Sequence, residues 1–293
     1  ERFNIKNVYN INWSKDLFED NLQRFYGVKI KTAKGKINEA GLGNFIMYVI
    51  EDQNPEYGWV ETSRGSEYVN INLFNAKQGF RKLVNGVASI HATNTPQETE
   101  HDLTLLLGMN SEDFIKNHPD NWNGEVVQSN QDLIGSRGWA SLKELFYVMN
   151  ATANYSVLRN FEMLPDQFTS EEHGDIDILV EDFDNTMLIM NASKVFDDNS
   201  RVHCSTAITN EKVYFDLRFL NDNYYCYAFE KRMLRNRVYA KGFYALDAED
   251  HFYSLVYHAL ISQRKVADDY YQKCEDLFVE LFDKKELDGL NKI

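Results

Sequence analysis

The stretch HGDIDILV, residues 173–180, decides how this chain is read. Its run of Ile176, Ile178, Leu179 and Val180 has the composition of a strand. Alternate strand residues point to one face, so Asp175 and Asp177 project together while Ile176 and Ile178 project to the other. Two carboxylates held that close repel unless a cation lies between them. Mg²⁺ or Mn²⁺, with their preference for oxygen, is the expected occupant. A later strand-like run, KVYFDLRF (212–219), places Asp216 between Phe215 and Leu217, where a carboxylate needs a partner. Arg218 shares the Asp216 face and can serve a phosphate or simply a neighbouring acid. A DxD pair alone also suits a solvated turn; the third acid on a following strand favours a metal site.

Outward from this stretch, residues 141–150 read as a helix, 155–159 as a strand, 184–196 as a helix and 248–263 as a long helix. His258 on the last faces either the acids or ordinary core. Upstream, 16–26 has apolar residues at helical spacing, and 42–51 (LGNFIMYVIE) reads as a buried strand. Residues 95–107 carry a full set of helix signals: Thr95 to cap, Pro96 in the first turn, Glu98 for a capping box and Gly108 to stop. The Asn-, Asp- and Gly-rich segment 116–138 reads as a linker. Both halves mix helix and strand, so the expected class is α+β, with domains at 1–118 and 141–293 joined by 119–140.

The chain's 293 residues exceed what one core usually organises, and 43% are hydrophobic, enough to pack two. A net charge of −14 disfavours a broad nucleic-acid face but not small phosphorylated substrates, which cations or local arginines can hold. Cys204, Cys226 and Cys274 are odd in number and lack CxxC spacing, as expected of reduced thiols in a cytoplasmic protein. No run is long enough to span a membrane and no signal-peptide pattern opens the chain. It begins at Glu1 rather than Met, as expected of a trimmed or excised piece.

Paired acids at i and i+2 of one strand, with a third on a following strand, resemble the nucleotidyltransferase superfamily of DNA polymerase β, over roughly 141–265. The resemblance implies that Asp175, Asp177 and Asp216 hold two metal ions, with Asp216 helping to deprotonate the acceptor. Where that superfamily carries a Gly-Ser pair, this chain reads VLRNFEMLP, offering Arg159 and Asn160 to phosphate. The surround LRNFE…HGDIDILV is closer in flavour to sugar- and polyol-modifying members than to polymerases.

A second resemblance lies upstream. His91 is followed by Ala92, Thr93, Asn94, Thr95 and an acidic helix, and is preceded by Asn54-Pro55 and Thr62-Ser63-Arg64-Gly65. This order is similar to the active-site segments of nucleoside diphosphate kinases. It implies a ferredoxin-like βαββαβ domain, a nucleophilic His91, and phosphate contacts from Arg64 and Asn94. The helix beginning at Pro96 is expected to offer its N-terminus to an anion close by. The strand that ends in Lys-Pro in those kinases reads NINWSK here, and an insertion before His91 contributes Lys77, Arg81 and Lys82.

The function expected from these readings is transfer of a nucleoside monophosphate from NTP to a small sugar- or polyol-phosphate-like acceptor, as in surface-polysaccharide precursor assembly. Phosphotransfer through His91, or a non-catalytic nucleotide-binding module, are the alternatives.

Overall fold

In the computed structural model, residues 2–27, 43–62, 65–84, 89–168, 174–198, 202–262 and 268–282 are described. The chain divides into two units, 1–139 and 140–293, each mixing helix and strand, so the class is α+β.

Unit 1 contains β1 (Phe3–Asn12), α1 (Phe18–Tyr26), β2 (Asn44–Asp52), β3 (Tyr57–Thr62), β4 (Gly65–Asn70), α2 (Ile71–Leu83), α3 (Pro96–Leu107), α4 (Ser111–Asn117) and β5 (Val127–Ser129). β1 is the centre of a three-stranded sheet, antiparallel to β2 and parallel to β5, and β3 and β4 form a separate hairpin. A ferredoxin-like βαββαβ chain gathers its strands into one sheet; the described strands of unit 1 form two. β2 also departs from the expected buried strand. Ile46 is 50% and Tyr48 57% exposed, because only alternate side chains face the unit's interior.

The segment expected as a linker belongs to unit 1 as far as Trp139. Its polar residues bond inward. Asp132 accepts from Ser14 N (2.8 Å), Ser14 Oγ (2.7 Å) and Asn21 Nδ2 (2.8 Å), and buried Arg24 donates to Ile134 O and Ser136 Oγ. Leu133 and Trp139 are buried, so a composition typical of linkers here conceals a packed segment. The cap, proline and glycine of α3 act as expected, while Glu98 reaches back to Asn94 N, one residue before the cap. Thr95 Oγ1 accepts from Glu98 N at 3.1 Å, Pro96 stands in the first turn and Gly108 closes the helix at φ 68°.

Unit 2 contains α5 (Leu142–Thr152), β6 (Tyr155–Val157), β7 (Ile176–Val180), α6 (Phe183–Ile189), β8 (Ser193–Lys194), β9 (His203–Ile208), β10 (Glu211–Phe219), α7 (Tyr227–Asn236), β11 (Val238–Ala240), β12 (Phe243–Ala245), α8 (Ala248–Tyr257) and α9 (Asp268–Leu281). Seven strands form one sheet in the order β11-β12-β6-β7-β10-β9-β8. Phe146 of α5 stacks on Tyr155 and Phe243, while Leu158 and Leu179 join Met233 and Leu234 of α7 in a second apolar cluster. The helix expected over 184–196 stops at Ile189, where Asn191 turns the chain at φ 50° toward β8. The helix expected over 248–263 keeps α geometry only to Tyr257 and continues as a π turn, His258–Ser262.

Candidate metal and phosphate site

Three neighbouring strands bring the acids together. β7 and β10 run parallel with Asp177 opposite Asp216, and β9 runs antiparallel to β10 with His203 opposite Asp216. Partners across a sheet project to the same face, so Asp177, Asp216 and His203 form a row, and Asp175 precedes β7 on the same side. Ligand atoms of Asp175, His203 and Asp216 all lie within 4.8 Å of one another. That spread suits one cation held at about 2.0–2.3 Å from each.

The donor atoms also fit a cation chemically. Asp216 is 8% exposed, and its buried Oδ1 accepts no hydrogen bond among the described residues. Arg218 Nε stands 3.3 Å from that oxygen, and Arg218 Nη2 donates to Oδ2 at 3.3 Å. The Nδ1 of His203 is likewise buried without a partner. Buried polar atoms are rarely left unpaired, so each such atom calls for an account.

Asp177 is held differently. It pairs with Arg159, and both side chains are buried. Burial pushes the Asp177 carboxyl up to about 7; Arg159 pulls against this, while the charges of Asp216 and Asp175 push the same way. Burial lowers the Arg159 pKa, but Asp177 outweighs it and the net shift is upward, which keeps the guanidinium charged. Arg159 pairs with Asp177 through Nη2, and its buried Nε and Nη1 make no hydrogen bond among the described residues. The sequence grouped Asp177 with the metal ligands; its nearest cation is this arginine.

Arg218 joins the site to the π turn. It pairs with Asp216 and Asp222, and its guanidinium lies 4.1 Å from the centroid of the Tyr224 ring. The Tyr224 hydroxyl is 2.8 Å from His258 Nδ1. Burial, then the charges of Arg159 and Arg218, push His258 down to about 4, so it stays neutral near pH 7. Tyr224 and Arg218 thus link His258 to the acids. Asn160 adopts φ 54°, a conformation Asn tolerates, and its Oδ1 accepts from Lys273 at 2.9 Å.

Sequence reading missed His203, although a signal existed. Thr209 and Asn210, at φ 52° and φ 67°, form the two-residue hairpin turn between β9 and β10. Such a turn sets Ile208 opposite Glu211, and counting back along the hairpin sets His203 opposite Asp216.

In unit 1 the expected phosphate residues have other occupations. The His91 side chain is 40% exposed, and its Nε2 lies 2.8 Å from Asp102, which also receives His101 Nδ1 at 3.0 Å. Burial alone would raise the Asp102 pKa, but hydrogen bonds from His101 and His91 outweigh it and hold the carboxyl low. Asn94 is buried, and its Oδ1 accepts from Lys77. Its backbone N–H donates to Glu98 at 2.6 Å. A carboxylate thus already sits at the start of α3, where an incoming anion was expected. Arg64 lies outside the described residues.

Unit 2 also has a cavity of about 680 Å³, lined by Asn154, Glu181, Lys231, Arg235, Arg237 and Tyr244 among others. It adjoins Glu181, at the far end of β7 from Asp175, and does not contain the acids. Compared with protein-family models, curated proteins and solved structures, the chain matches none. No helix among the described residues is long and apolar enough to cross a membrane.

Proposed function

We propose that unit 2 is a metal-dependent nucleotidyltransferase that moves a nucleoside monophosphate from an NTP to a small hydroxylated or phosphorylated acceptor of the sugar or polyol class. The carrying observation is the convergence of Asp175, Asp177 and Asp216 on one sheet face, beside a buried arginine with two nitrogens that make no hydrogen bond among the described residues. A cluster of acids alone suits many roles. Acids beside a buried cation with unused donors suit a ligand that brings both a metal ion and phosphate oxygens.

On this reading Asp175 and Asp216 hold Mg²⁺ or Mn²⁺, which supplies charge neutralisation to the triphosphate and the leaving pyrophosphate. Arg159, anchored by Asp177, presents Nε and Nη1 to a phosphate oxygen, and Arg218 adds charge from the other side of Asp216. An acceptor oxygen attacks the α-phosphorus, the bond to the β-phosphate oxygen breaks, and the acceptor's proton passes to a nearby carboxylate, Asp216 in the simplest arrangement. The finer fold reading goes with this proposal: β6, β7 and β10 with α5 and α6 correspond to the nucleotidyltransferase core. Setting the reaction in surface-polysaccharide precursor assembly belongs to the same proposal and follows from the acceptor class.

The test is pyrophosphate release by the full chain from each of the four common NTPs across a panel of sugar and polyol phosphates, with Mg²⁺ or Mn²⁺. Release that depends on acceptor and on Asp175 supports the reading; none across the panel, with or without Asp175→Ala, removes it. One observation keeps phosphotransfer at His91 as a second reading: Asp102 orients the exposed imidazole through Nε2. Acid-labile phosphate on His91 after incubation with ATP would favour it.

A further inference from the structure

We propose that the centre formed by Asp175, Asp216 and His203 takes a first-row transition cation, for which Mn²⁺ is the probe, in preference to Mg²⁺, with His203 as a direct ligand. This rests on the metal-bearing reading of unit 2 and deepens it.

The argument begins with the ligand set. Three oxygen donors from three aspartates would suit Mg²⁺, which prefers near-octahedral oxygen and keeps several waters. The group drawn together here is two carboxylates and one imidazole. Asp177, the third acid, is engaged by Arg159 instead. Replacing one oxygen by an imidazole nitrogen shifts the preference toward first-row transition ions, which bind nitrogen better than Mg²⁺ does.

His203 is placed by the fold rather than by chance of the surface. The tight turn at Thr209-Asn210 fixes β9 against β10, and β10 is itself fixed against β7. The edge of Phe196 packs on the imidazole, with ring centroids 5.7 Å apart at 85°, which restricts its rotation. The ring's Nδ1 is buried with no hydrogen-bond partner among the described residues. Opposite it the buried Asp216 has an oxygen, Oδ1, that accepts no hydrogen bond among the described residues and has only the long ion-pair contact of Arg218 Nε at 3.3 Å. An imidazole whose buried nitrogen makes no hydrogen bond among the described residues, beside two carboxylates, is the arrangement a mixed oxygen–nitrogen cation completes.

The experiment is electron paramagnetic resonance of the full chain titrated with Mn²⁺, followed by pulsed detection of ¹⁴N coupling and by competition with Mg²⁺. The expected result is bound Mn²⁺ with an imidazole ¹⁴N coupling, displaced only by roughly a hundredfold or greater excess of Mg²⁺. His203→Ala is expected to remove the coupling and to weaken Mn²⁺ by about 100-fold, the upper end of what even outer-shell losses cost. The wild-type spectrum does not depend on that variant folding, and His203→Asp gives a second arm by moving the preference back toward Mg²⁺. Bound Mn²⁺ without ¹⁴N coupling, or parity between Mn²⁺ and Mg²⁺, overturns the inference and leaves the nucleotidyltransferase reading standing. If neither Mn²⁺ nor Mg²⁺ binds, with Asp175→Asn and wild type alike, both fall.

Discussion

The surroundings of Asp102 in unit 1 and of Asp216 in unit 2 both gather acids, histidines and cations, yet they hold their charges in opposite ways. In unit 1 the cations close on the protein itself. Lys77 donates to Ala92 O and Asn94 Oδ1, Arg81 donates twice to Ile90 O, and His91 and His101 share Asp102. These bonds tie the chain from Ile90 to Asn94 onto α2 and α3. Among the described residues of unit 2, Arg159 keeps two buried nitrogens without acceptors, and Asp216 and His203 each keep a buried atom without a hydrogen bond. Polar atoms buried without hydrogen bonds cost free energy, which on the proposed reading a bound metal ion and phosphate oxygens recover. Lys77 and Arg81, basic residues before His91, both donate to backbone carbonyls of the chain from Ile90 to Asn94.

The largest expected effect tests this contrast directly. Asp216→Asn should lower acceptor-dependent pyrophosphate release about a thousandfold, as loss of one preorganised charge does in other active sites. Arg81→Ala, which loosens Ile90 in unit 1, should leave that rate essentially unchanged. Pyrophosphate assays on both variants decide it; a large loss from Arg81→Ala with Asp216→Asn intact would invert the comparison.

The next effect is on stability. Arg159→Met leaves Asp177 buried without its cation and should cost about 3 kcal/mol, near the lower end for breaking a buried pair. Adding Asp177→Leu should recover most of that loss in denaturant unfolding while activity stays absent. Recovery of both would mean that Arg159 serves packing and not phosphate.

These variants also show how far the sequence could be read. The helix at 95–107 was legible because its signals are local: a cap, a proline, a glutamate and a glycine act within one turn of where they stand. The strands carrying Asp177 and Asp216 were legible for the same reason, since alternation needs no partner; Asp175, expected on the first of them, stands just before it. The pairing of Asp177 with Arg159 was not legible, because it depends on β6 lying beside β7, a contact between segments that no local pattern sets. His203 falls between the two cases. Its tight turn is local, but the consequence appears only when the hairpin is counted back to Asp216. The packed segment 119–139 was hidden because Asp132 and Asn21 bond to each other's elements, and composition cannot distinguish polar groups that face water from those that face one another.

A smaller effect concerns pH and the buried His251. Burial, against Glu162 and with Lys273 and Arg159, pushes His251 down to about 4. The unfolded chain takes up a proton on this histidine near pH 6.5 and the folded chain only near 4. Stability from this group is therefore complete above about pH 6.5 and is lost as pH falls toward 4. The loss is on the order of 2 kcal/mol between pH 7 and pH 5. His251→Gln should flatten that part of the stability–pH curve, and an unchanged slope would assign the acid sensitivity elsewhere.

The smallest effect concerns the start of α3, where anion binding was expected and a carboxylate is found. Thr95→Ala removes the cap to Glu98 N and should cost about 1 kcal/mol. Glu98→Gln keeps the side chain's shape but withdraws the negative charge that now faces the helix start. If Glu98 is what excludes an anion, inorganic phosphate should raise the melting temperature of Glu98→Gln more than that of wild type. Equal shifts in the two proteins would mean that the start of α3 is closed to anions by geometry, with Asn94 N–H and the Thr95 cap already filling it. A larger shift in wild type would return unit 1 to the phosphate chemistry its sequence suggests, and with it the exposed imidazole of His91.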